Sequence, residues 1–388
     1  MTDSTDDAPT PARPLADALG PISDPDEGAE TLVFTTTLQP SKFLGLSLKN
    51  GLLNLVTLTL WRFWGKTEVR RRIWRGVRLN DEAFEYTGRG VELFVGFLLA
   101  LVVLGAPFLL IVFAVQFNQP GLAALIIFPF YLFLYWLWGF GVFSAFRYMA
   151  SRTTWRGIRF RLTGSASGYG LRFLGYLLLS GVTAGWFWPA AERKLAASLW
   201  DGLRFGDRKL TFRVGRAESE SVYGPYAIGW FGTIGGYILL LAVVGIVFAA
   251  LGLAGLLPEP DSGGAPPDVL IIVGVYGVMA LLAPIFLLVW APYQAAMLRS
   301  IAKGVSMDGA DLTLNVKALP LWWLTVSNLF LVIVTLGFLM PWAQARTARF
   351  LIQRLKSTGK AKVGLAHQTG RGPGSGEGLA DAFGFSAI

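Results

Sequence analysis

Polar side chains interrupt three apolar segments of this 388-residue chain, at residues 43–64, 172–190 and 319–342. Hydrocarbon offers no hydrogen-bond partners, so amide, hydroxyl and ammonium groups in such segments can line a path for ions or polar solutes. The residues predicted to form this candidate polar pathway are Lys49, Asn50, Asn54, Thr57, Ser180, Thr183, Asn328 and Thr335.

The same residues have structural explanations that the sequence leaves open. Glycine, serine, threonine and asparagine allow helices to pack closely in a membrane. A lysine such as Lys49 can extend its ammonium to the membrane surface while its methylene stem stays in the apolar layer. Either role would account for these residue types without any solute crossing the protein.

Catalytic chemistry has few candidate residues. The chain has no cysteine, and its single histidine, His367, lies in a glycine-rich tail. These two facts argue against thiolate nucleophiles, catalytic triads and metals held by histidine or cysteine. No Asp or Glu lies within an apolar segment, although Glu92 and Glu192 stand at segment ends. We therefore expect neither an enzyme nor a cofactor, and no carrier coupled through a buried carboxylate.

The composition indicates a membrane protein. Hydrophobic residues make up 53% and charged residues 15% of the chain, against about 25% charged residues in soluble domains. Residues 91–117 and 121–146 each exceed the roughly 20 apolar residues that cross a bilayer, and so do residues 226–257 and 268–298. Each pair is joined by a short link without lysine or arginine, which predicts two helical hairpins.

The predicted fold class is an α-helical polytopic membrane protein with two helical hairpins and three single apolar segments, spanning or re-entrant. Alternating apolar and polar residues also predict short β-strands. These strands are expected in pairs, at residues 74–79 with 84–87, 203–205 with 210–213, and 305–307 with 312–314. Unpaired strand edges cannot lie in hydrocarbon, so the β-hairpins are predicted to form a small cytoplasmic sheet.

An internal repeat is also predicted. Residues 56–86 overlay residues 182–212 without a gap, and Thr57 also matches Thr335. Repeats of this kind imply one unit that is copied and packed against its neighbours. The predicted divisions are a disordered acidic tail over residues 1–31, a membrane domain over 32–356 with repeats at approximately 32–163, 164–316 and 317–356, and a disordered glycine-rich tail over 357–388.

Several motifs resemble the YjgN family of bacterial inner-membrane proteins. They are LTLWRFWGKTEVRRRIW at residues 58–74, FEYTG at 84–88, VTLG at 334–337 and PWA at 341–343. The resemblance covers roughly residues 32–388; Thr59 departs from the family's usual glycine, and Gln344 from its usual basic residue. It implies a multi-pass inner-membrane protein of uncharacterised activity and, by resemblance alone, partnership with a membrane-associated metallopeptidase.

Lysine and arginine mark cytoplasmic loops. Basic residues follow all three interrupted segments and the first hairpin, so these loops and the C-terminus are predicted to be cytoplasmic and both hairpin links external. Residues 172–190 have basic loops on both sides, which a single crossing cannot satisfy. Two arrangements remain open: seven full crossings with one basic loop translocated, or three re-entrant or tilted segments with both ends inside.

The basic run after the first apolar segment is the candidate for contact with lipids. Anionic headgroups attract lysine and arginine near the membrane surface by about 1 kcal/mol per residue. The residues predicted to make these contacts are Arg70, Arg71, Arg72 and Arg75. Beside a membrane helix, such a run favours lipid over nucleic acid, so no nucleic-acid partner is expected.

Two functional hypotheses follow. The first is a passive transport or pore-type membrane protein built from the three polar segments. The alternative is a structural or regulatory scaffold whose cytoplasmic sheet docks a partner protein or anionic lipid. A shared cavity faced by Asn50, Thr183 and Asn328 would favour the pore, because transporters place their sites where repeats meet. A sealed interior would favour the scaffold.

Overall fold

The computed structural model describes residues 28–116, 120–255 and 268–369. Residues 1–27 and 370–388, which belong to the two predicted tails, and residues 117–119 and 256–267, which belong to the two predicted hairpin links, lie outside the described residues. The described chain is mostly helical, and its α-helices are α1 (Leu44–Val56), α2 (Arg62–Gly76), α3 (Gly90–Gln116), α4 (Pro120–Ser151), α5 (Ala166–Val182), α6 (Trp188–Trp200), α7 (Val214–Glu218), α8 (Tyr223–Leu253), α9 (Asp268–Gly304), α10 (Ala318–Val334) and α11 (Met340–Ile352).

Four of the described helices, α3, α4, α8 and α9, contain a segment long and apolar enough to cross a bilayer. α3 packs against α4, and α8 packs against α9. Large apolar side chains such as Val102 on α3 and Leu241 on α8 are exposed on their outer faces. Contiguous apolar surface of this extent is unfavourable in water and suits lipid. The structure agrees with the prediction of a helical membrane protein.

None of the three interrupted segments is a single helix. Each breaks into two helices, α1 with α2, α5 with α6, and α10 with α11. The first helix of each pair has 13, 17 and 17 residues, and 17 residues rise only about 25 Å, less than the roughly 30 Å hydrocarbon layer. These pairs are called here the first, second and third short hairpins, residues 44–76, 166–200 and 318–352.

The chain reverses direction at each break. Residues at similar distances before and after the break are in contact: the Lys49 ammonium lies 3.1 Å from the Glu68 carboxylate in the first short hairpin. In the second, Arg172 donates to the Ser198 hydroxyl at 2.9 Å, and in the third Arg346 donates to the Ser327 hydroxyl at 2.7 Å. Such contacts require antiparallel helices. The start and the end of each short hairpin therefore lie close together, opposite its turn.

The strands pair into a closed circuit. They are β1 (Glu30–Thr31), β2 (Phe34–Thr36), β3 (Val77–Leu79), β4 (Glu82–Ala83), β5 (Glu85–Tyr86), β6 (Thr153–Trp155), β7 (Ile158–Leu162), β8 (Leu203–Phe205), β9 (Arg208–Phe212), β10 (Val305–Met307), β11 (Ala310–Leu314), β12 (Leu355–Thr358) and β13 (Lys360–Ala361). β1 with β2, β4 with β5 and β12 with β13 are continuous runs, so thirteen described strands make ten runs. Each run pairs antiparallel with the next, and β13 returns to pair with β1.

This β circuit has two unlike edges, because successive connections in an antiparallel meander alternate between edges. Tight turns at residues 80–81, 156–157, 206–207 and 308–309 form one edge. Non-glycine residues with positive φ occupy three of them, including Asn80 at 49° and Asp308 at 52°, as hairpin turns of this type require. The other edge carries all five helical hairpins. They are the three short hairpins and two long hairpins, α3 with α4 and α8 with α9.

The structure changes three boundaries of the predicted strands and tails. Residues 30–31 were expected in the N-terminal tail, but they form β1 and pair with β13. Residues 74–76 were expected to begin a strand, but α2 continues to Gly76, and the extended backbone of Val77 ends it. Residues 357–369 were expected in the C-terminal tail. Instead β12 and β13 complete the circuit, and Ala361 and Val363 are buried within it. The β circuit needs these residues because β13 forms its closing pair with β1.

Candidate functional site

The three threonines of the candidate polar pathway occupy the same place in three alike turns. Thr57, Thr183 and Thr335 each follow the first helix of a short hairpin. Each hydroxyl donates to the carbonyl four residues earlier, at 2.6, 2.9 and 2.6 Å. Each also accepts from the backbone N–H four residues later, at 2.9, 3.1 and 3.2 Å. The hydroxyl therefore links the end of one helix to the start of the next.

Two residues with positive φ follow each threonine and turn the chain. They are Leu58 and Thr59, Ala184 and Gly185, and Leu336 and Gly337. Left-handed backbone is costly for most residues, so the threonine bonds help to hold this conformation. Each hydroxyl therefore has a structural role in its own turn, and a place for these threonines in a polar pathway stays a prediction. The three turns share this geometry, but the longer internal repeat predicted from the sequence stays a prediction.

Substitution of one of the three threonines should show how much its hydroxyl stabilises the turn. Thr183→Val keeps the side-chain shape and removes both hydroxyl bonds, so we expect the free energy of unfolding to fall by about 1 kcal/mol. Thr325→Val is the matched control, because its hydroxyl donates to Leu321 within α10 and caps no helix. Thermal unfolding in nanodiscs measures both variants. An equal loss in the two would contradict a capping role.

The tips of the short hairpins are apolar and uncovered. Leu58, Val182 and Leu336 are 84, 86 and 89% exposed, and each lies at or beside its turn. Three such tips are unfavourable in water, whereas burial in a bilayer would stabilise each by roughly 1.5–3 kcal/mol. Their exposure therefore supports insertion of the three turns into lipid.

Two asparagines of the predicted pathway line a cavity whose walls are mostly apolar. Asn50 is buried, and its side-chain oxygen accepts from the Trp61 indole N–H at 3.1 Å. It lines a cavity of about 330 Å³ between the first and third short hairpins, together with Asn54 and Gln344. The Asn50 Nδ2 and Asn54 Oδ1 atoms are buried without hydrogen-bond partners. Buried polar groups of this kind ordinarily bind a polar atom, so this cavity can hold water or a polar solute.

The remaining pathway residues lie elsewhere. Asn328 donates to the Thr347 hydroxyl at 3.1 Å and accepts from Arg346 at 3.0 Å, both inside the third short hairpin. Ser180 and Thr183 belong to the second short hairpin, and neither lines the cavity beside Asn50. Lys49, predicted to line the same pathway or to extend to the membrane surface, has its side chain 52% exposed and pairs with Glu68. Of the eight predicted pathway residues, Asn50 and Asn54 line this cavity and the other six do not.

Burial removes one arginine from the predicted lipid-binding set. Arg70 is buried, and its guanidinium donates to the Tyr86 hydroxyl at 3.4 Å. This contact arises because that face of α2 packs on β5. Arg71 donates to the Gly88 carbonyl at 2.9 Å and is exposed, as are Arg72 and Arg75. Headgroup contacts by these three exposed arginines stay a prediction.

A row of cations on the outer wall of the β circuit was not singled out from the sequence. Arg161 on β7 lies directly opposite Arg204 on β8, and Arg204 lies opposite Lys209 on β9. Like charges in direct cross-strand positions are destabilising. None of the three forms an ion pair with a carboxylate of the described residues. The alternation of IRFRL at residues 158–162 and LRF at 203–205 was the available signal.

Two carboxylates at the ends of apolar segments are held by buried tyrosines. Glu92 accepts from the Tyr148 hydroxyl at 3.1 Å, and Glu192 accepts from the Tyr293 hydroxyl at 2.5 Å. The first bond joins α3 to α4 within one hairpin, and the second joins α6 of the second short hairpin to α9. Among the described residues, no group of three or more His, Cys, Asp or Glu side chains stands ready to hold a metal ion.

Ion pairs and hydrogen bonds fasten the tight-turn edge of the circuit. Arg156 donates to Glu30 at 2.6 Å and to Glu82 at 3.1 Å, and its hydrogen bond to Glu30 lowers the pKa of that carboxyl. Asp207 accepts from the His367 backbone N–H at 2.9 Å, and this bond lowers the pKa of Asp207. Both carboxylates are therefore held in their charged form. The bonds to His367 also hold residues 363–369 against this edge of the circuit.

Comparisons with known proteins agree with the membrane architecture. A family model described as a bacterial protein of unknown function (DUF898) matches residues 30–382. The inner membrane protein YjgN of Salmonella typhimurium is 28% identical over 139 residues, which are 36% of this chain and 33% of that relative. The alignment thus spans about a third of the relative's length, and no solved structure matches. The resemblance read from the motifs is confirmed, and the chain belongs to the YjgN family, a bacterial family of unknown function.

Proposed function

We propose that this protein is a non-enzymatic inner-membrane scaffold that presents its β circuit to the cytoplasm as a docking surface. The observation that carries the proposal is that all five helical hairpins leave and re-enter one edge of the circuit. The two long hairpins have the length to span the bilayer and the three short ones do not. A circuit anchored in this way lies at a single face of the membrane.

The cytoplasmic side follows from charge. The strands and turns of the circuit carry the basic residues that lie before and after the segment at residues 172–190, including Arg156, Arg161 and Arg204. Positively charged segments are retained in the cytoplasm. With the short hairpins reversing within the membrane, every basic loop lies on one side, and the conflict at residues 172–190 is removed.

The length of α9 separates the outer cation row from the lipid headgroups. Its 37 residues rise about 55 Å, whereas a bilayer with its headgroups measures roughly 40–45 Å. In the proposed arrangement the excess length lies on the side of the circuit and holds the circuit clear of the headgroups. Arg161, Arg204 and Lys209 face the aqueous side, where we propose that they bind an acidic surface of a soluble partner protein. The resemblance implies a membrane-associated metallopeptidase as the partner, and this stays a prediction.

Charge reversal of the cation row tests the docking surface. In nanodiscs, we expect a fluorescent oligo-glutamate peptide to bind the parent in a salt-dependent manner. The triple variant Arg161→Glu, Arg204→Glu and Lys209→Glu should bind it at least tenfold more weakly, because three attractions of about 0.5–1 kcal/mol are lost.

A matched control separates position from net charge. Lys317, Arg349 and Lys356 are exposed cations outside the row, and changing all three to Glu alters the net charge equally. We expect this control to retain most of the peptide binding. An equal loss in both triple variants would refute a specific row.

A passive transport role is the second candidate, and the cavity beside Asn50 favours it. We expect a pore to conduct inorganic ions or small solutes in proteoliposomes, and the double variant Asn50→Leu and Asn54→Leu to block that flux without unfolding. If the parent conducts nothing and the double variant is only less stable, the transport role is refuted and the scaffold role is retained.

A further inference from the structure

The β circuit encloses an interior that its own side chains do not fill. Every one of the ten runs contributes at least one residue to the lining of a single cavity of about 250 Å³. About eight strands close around an interior that side chains just fill or that holds one small ligand. Ten runs enclose more space, which accounts for a cavity at this place.

The lining is apolar. The side chains that face inward are those of alternate strand residues, such as Leu79, Phe160, Phe205 and Leu210. Ser306 is the exception, but its hydroxyl lies 2.8 Å from that of Thr211 and is satisfied there. Native interiors contain few voids larger than one water molecule. An apolar cavity of about 150 Å³ stays dry and binds benzene, so the larger space here is suited to an apolar molecule.

One polar group in this lining lacks a partner. Trp155 is 1% exposed, and its indole Nε1–H makes no hydrogen bond in the structure. Arg156 stacks on the ring at 4.4 Å but offers no acceptor to the N–H. A buried donor without a partner carries its full desolvation cost. An acceptor atom on a bound molecule would remove that cost.

The tight-turn edge of the cavity is covered. Val363 lines the cavity, Ala366 packs into the same apolar cluster, and the backbone of His367 bonds to the turn between β8 and β9. This cover keeps the interior apolar on the side away from the helices. A charged ligand head would lose its hydration in such a site, so the ligand should be neutral.

We propose that the interior of the β circuit is a binding site for a neutral, apolar molecule with one hydrogen-bond acceptor, which accepts from the Trp155 indole N–H. The acceptor is a ketone, ester or ether oxygen, and the remaining atoms are hydrocarbon. This site is separate from the cation row on the outer wall. It would bind its ligand whether or not a partner protein docks there.

The probes are 2-decanone and decane, which share a hydrocarbon chain and differ by one acceptor. Radiolabelled probes are partitioned between protein-containing and empty nanodiscs, and the excess gives the binding curve. We expect both probes to saturate at one molecule per protein, with 2-decanone binding about fivefold more tightly. Absence of saturable binding of both probes would overturn the proposal.

Two variants locate the site. Trp155→Phe keeps an aromatic ring and removes the N–H, so it should bring the affinity for 2-decanone down to that for decane, which stays unchanged. Ala310→Phe adds a ring inside the cavity and should abolish binding of both probes, whereas Leu241→Phe on the exposed face of α8 should bind as the parent does.

Folding is checked by gel filtration and thermal unfolding before binding is compared. If Ala310→Phe fails to fold, the relative affinity of Trp155→Phe for the two probes still tests whether the ligand binds at the Trp155 indole. A folded Ala310→Phe that binds like the parent would place the site elsewhere. A Trp155→Phe variant that keeps the preference for 2-decanone would remove the indole from the site.

Discussion

In intact cells, single cysteines introduced at Asn118 and Ser262 react with an impermeant maleimide, and those at Arg161 and Lys209 do not. This is the expected result if the two long hairpins alone cross the bilayer and the β circuit lies in the cytoplasm. The chain has no cysteine, so each replacement reports without background. The effect is close to all-or-none, because a residue lies on one side or the other.

The pair Arg161 and Lys209 discriminates between the two arrangements left open by the sequence. Seven full crossings would put the loops before and after residues 172–190 on opposite faces, so one of these two cysteines would react. Both side chains are exposed on the circuit, and permeabilised cells provide the control in which both must react. Labelling of one of them in intact cells would restore the seven-crossing arrangement.

Replacing Trp155 with Ala should lower the free energy of unfolding by about 3–5 kcal/mol. The ring is almost fully buried in the β circuit and lies 5.4 Å from the Phe205 ring and 6.4 Å from the Phe84 ring, centroid to centroid. Its removal also relieves the desolvation cost of the unpartnered indole N–H, so the loss belongs at the lower end of this range. Denaturant unfolding in a mild detergent measures it.

Trp323 is the matched control for this loss. It lies on α10 with its side chain exposed, where lipid or detergent replaces the contacts that the ring makes. Trp323→Ala should therefore cost under about 1 kcal/mol in the same detergent. Equal losses for Trp155 and Trp323 would mean that the circuit has no packed interior.

The predicted strands illustrate how far local pattern extends. The alternation predicts strands at residues 203–205, 210–213 and 305–307, and strands lie at Leu203–Phe205, Arg208–Phe212 and Val305–Met307. The motif Trp-Arg-Gly at residues 74–76 looked the same as Trp-Arg-Gly at 155–157, yet the first ends a helix and the second is a strand and turn. Packing of α2 on the third short hairpin and on β5 decided the difference.

The candidate site was predictable only in part. Asn50 and Asn54 were singled out for polarity in an apolar segment, and they line one cavity together. The three threonines were singled out on the same ground, but their hydroxyls are used by the turns. Residue type records that a polar group is present. It does not record whether that group bonds to its own backbone.

The amino-acid sequence by itself determined the class of this protein, the positions of its apolar helices and the alternation of its strands. These properties follow from the burial preference of each short segment, which is local. Only the tertiary structure decided that the three interrupted segments turn back and that the strands close into a circuit. The pair Glu30 with Ala361 closes it, and such a contact between the two ends of the chain depends on every intervening hairpin returning to one edge.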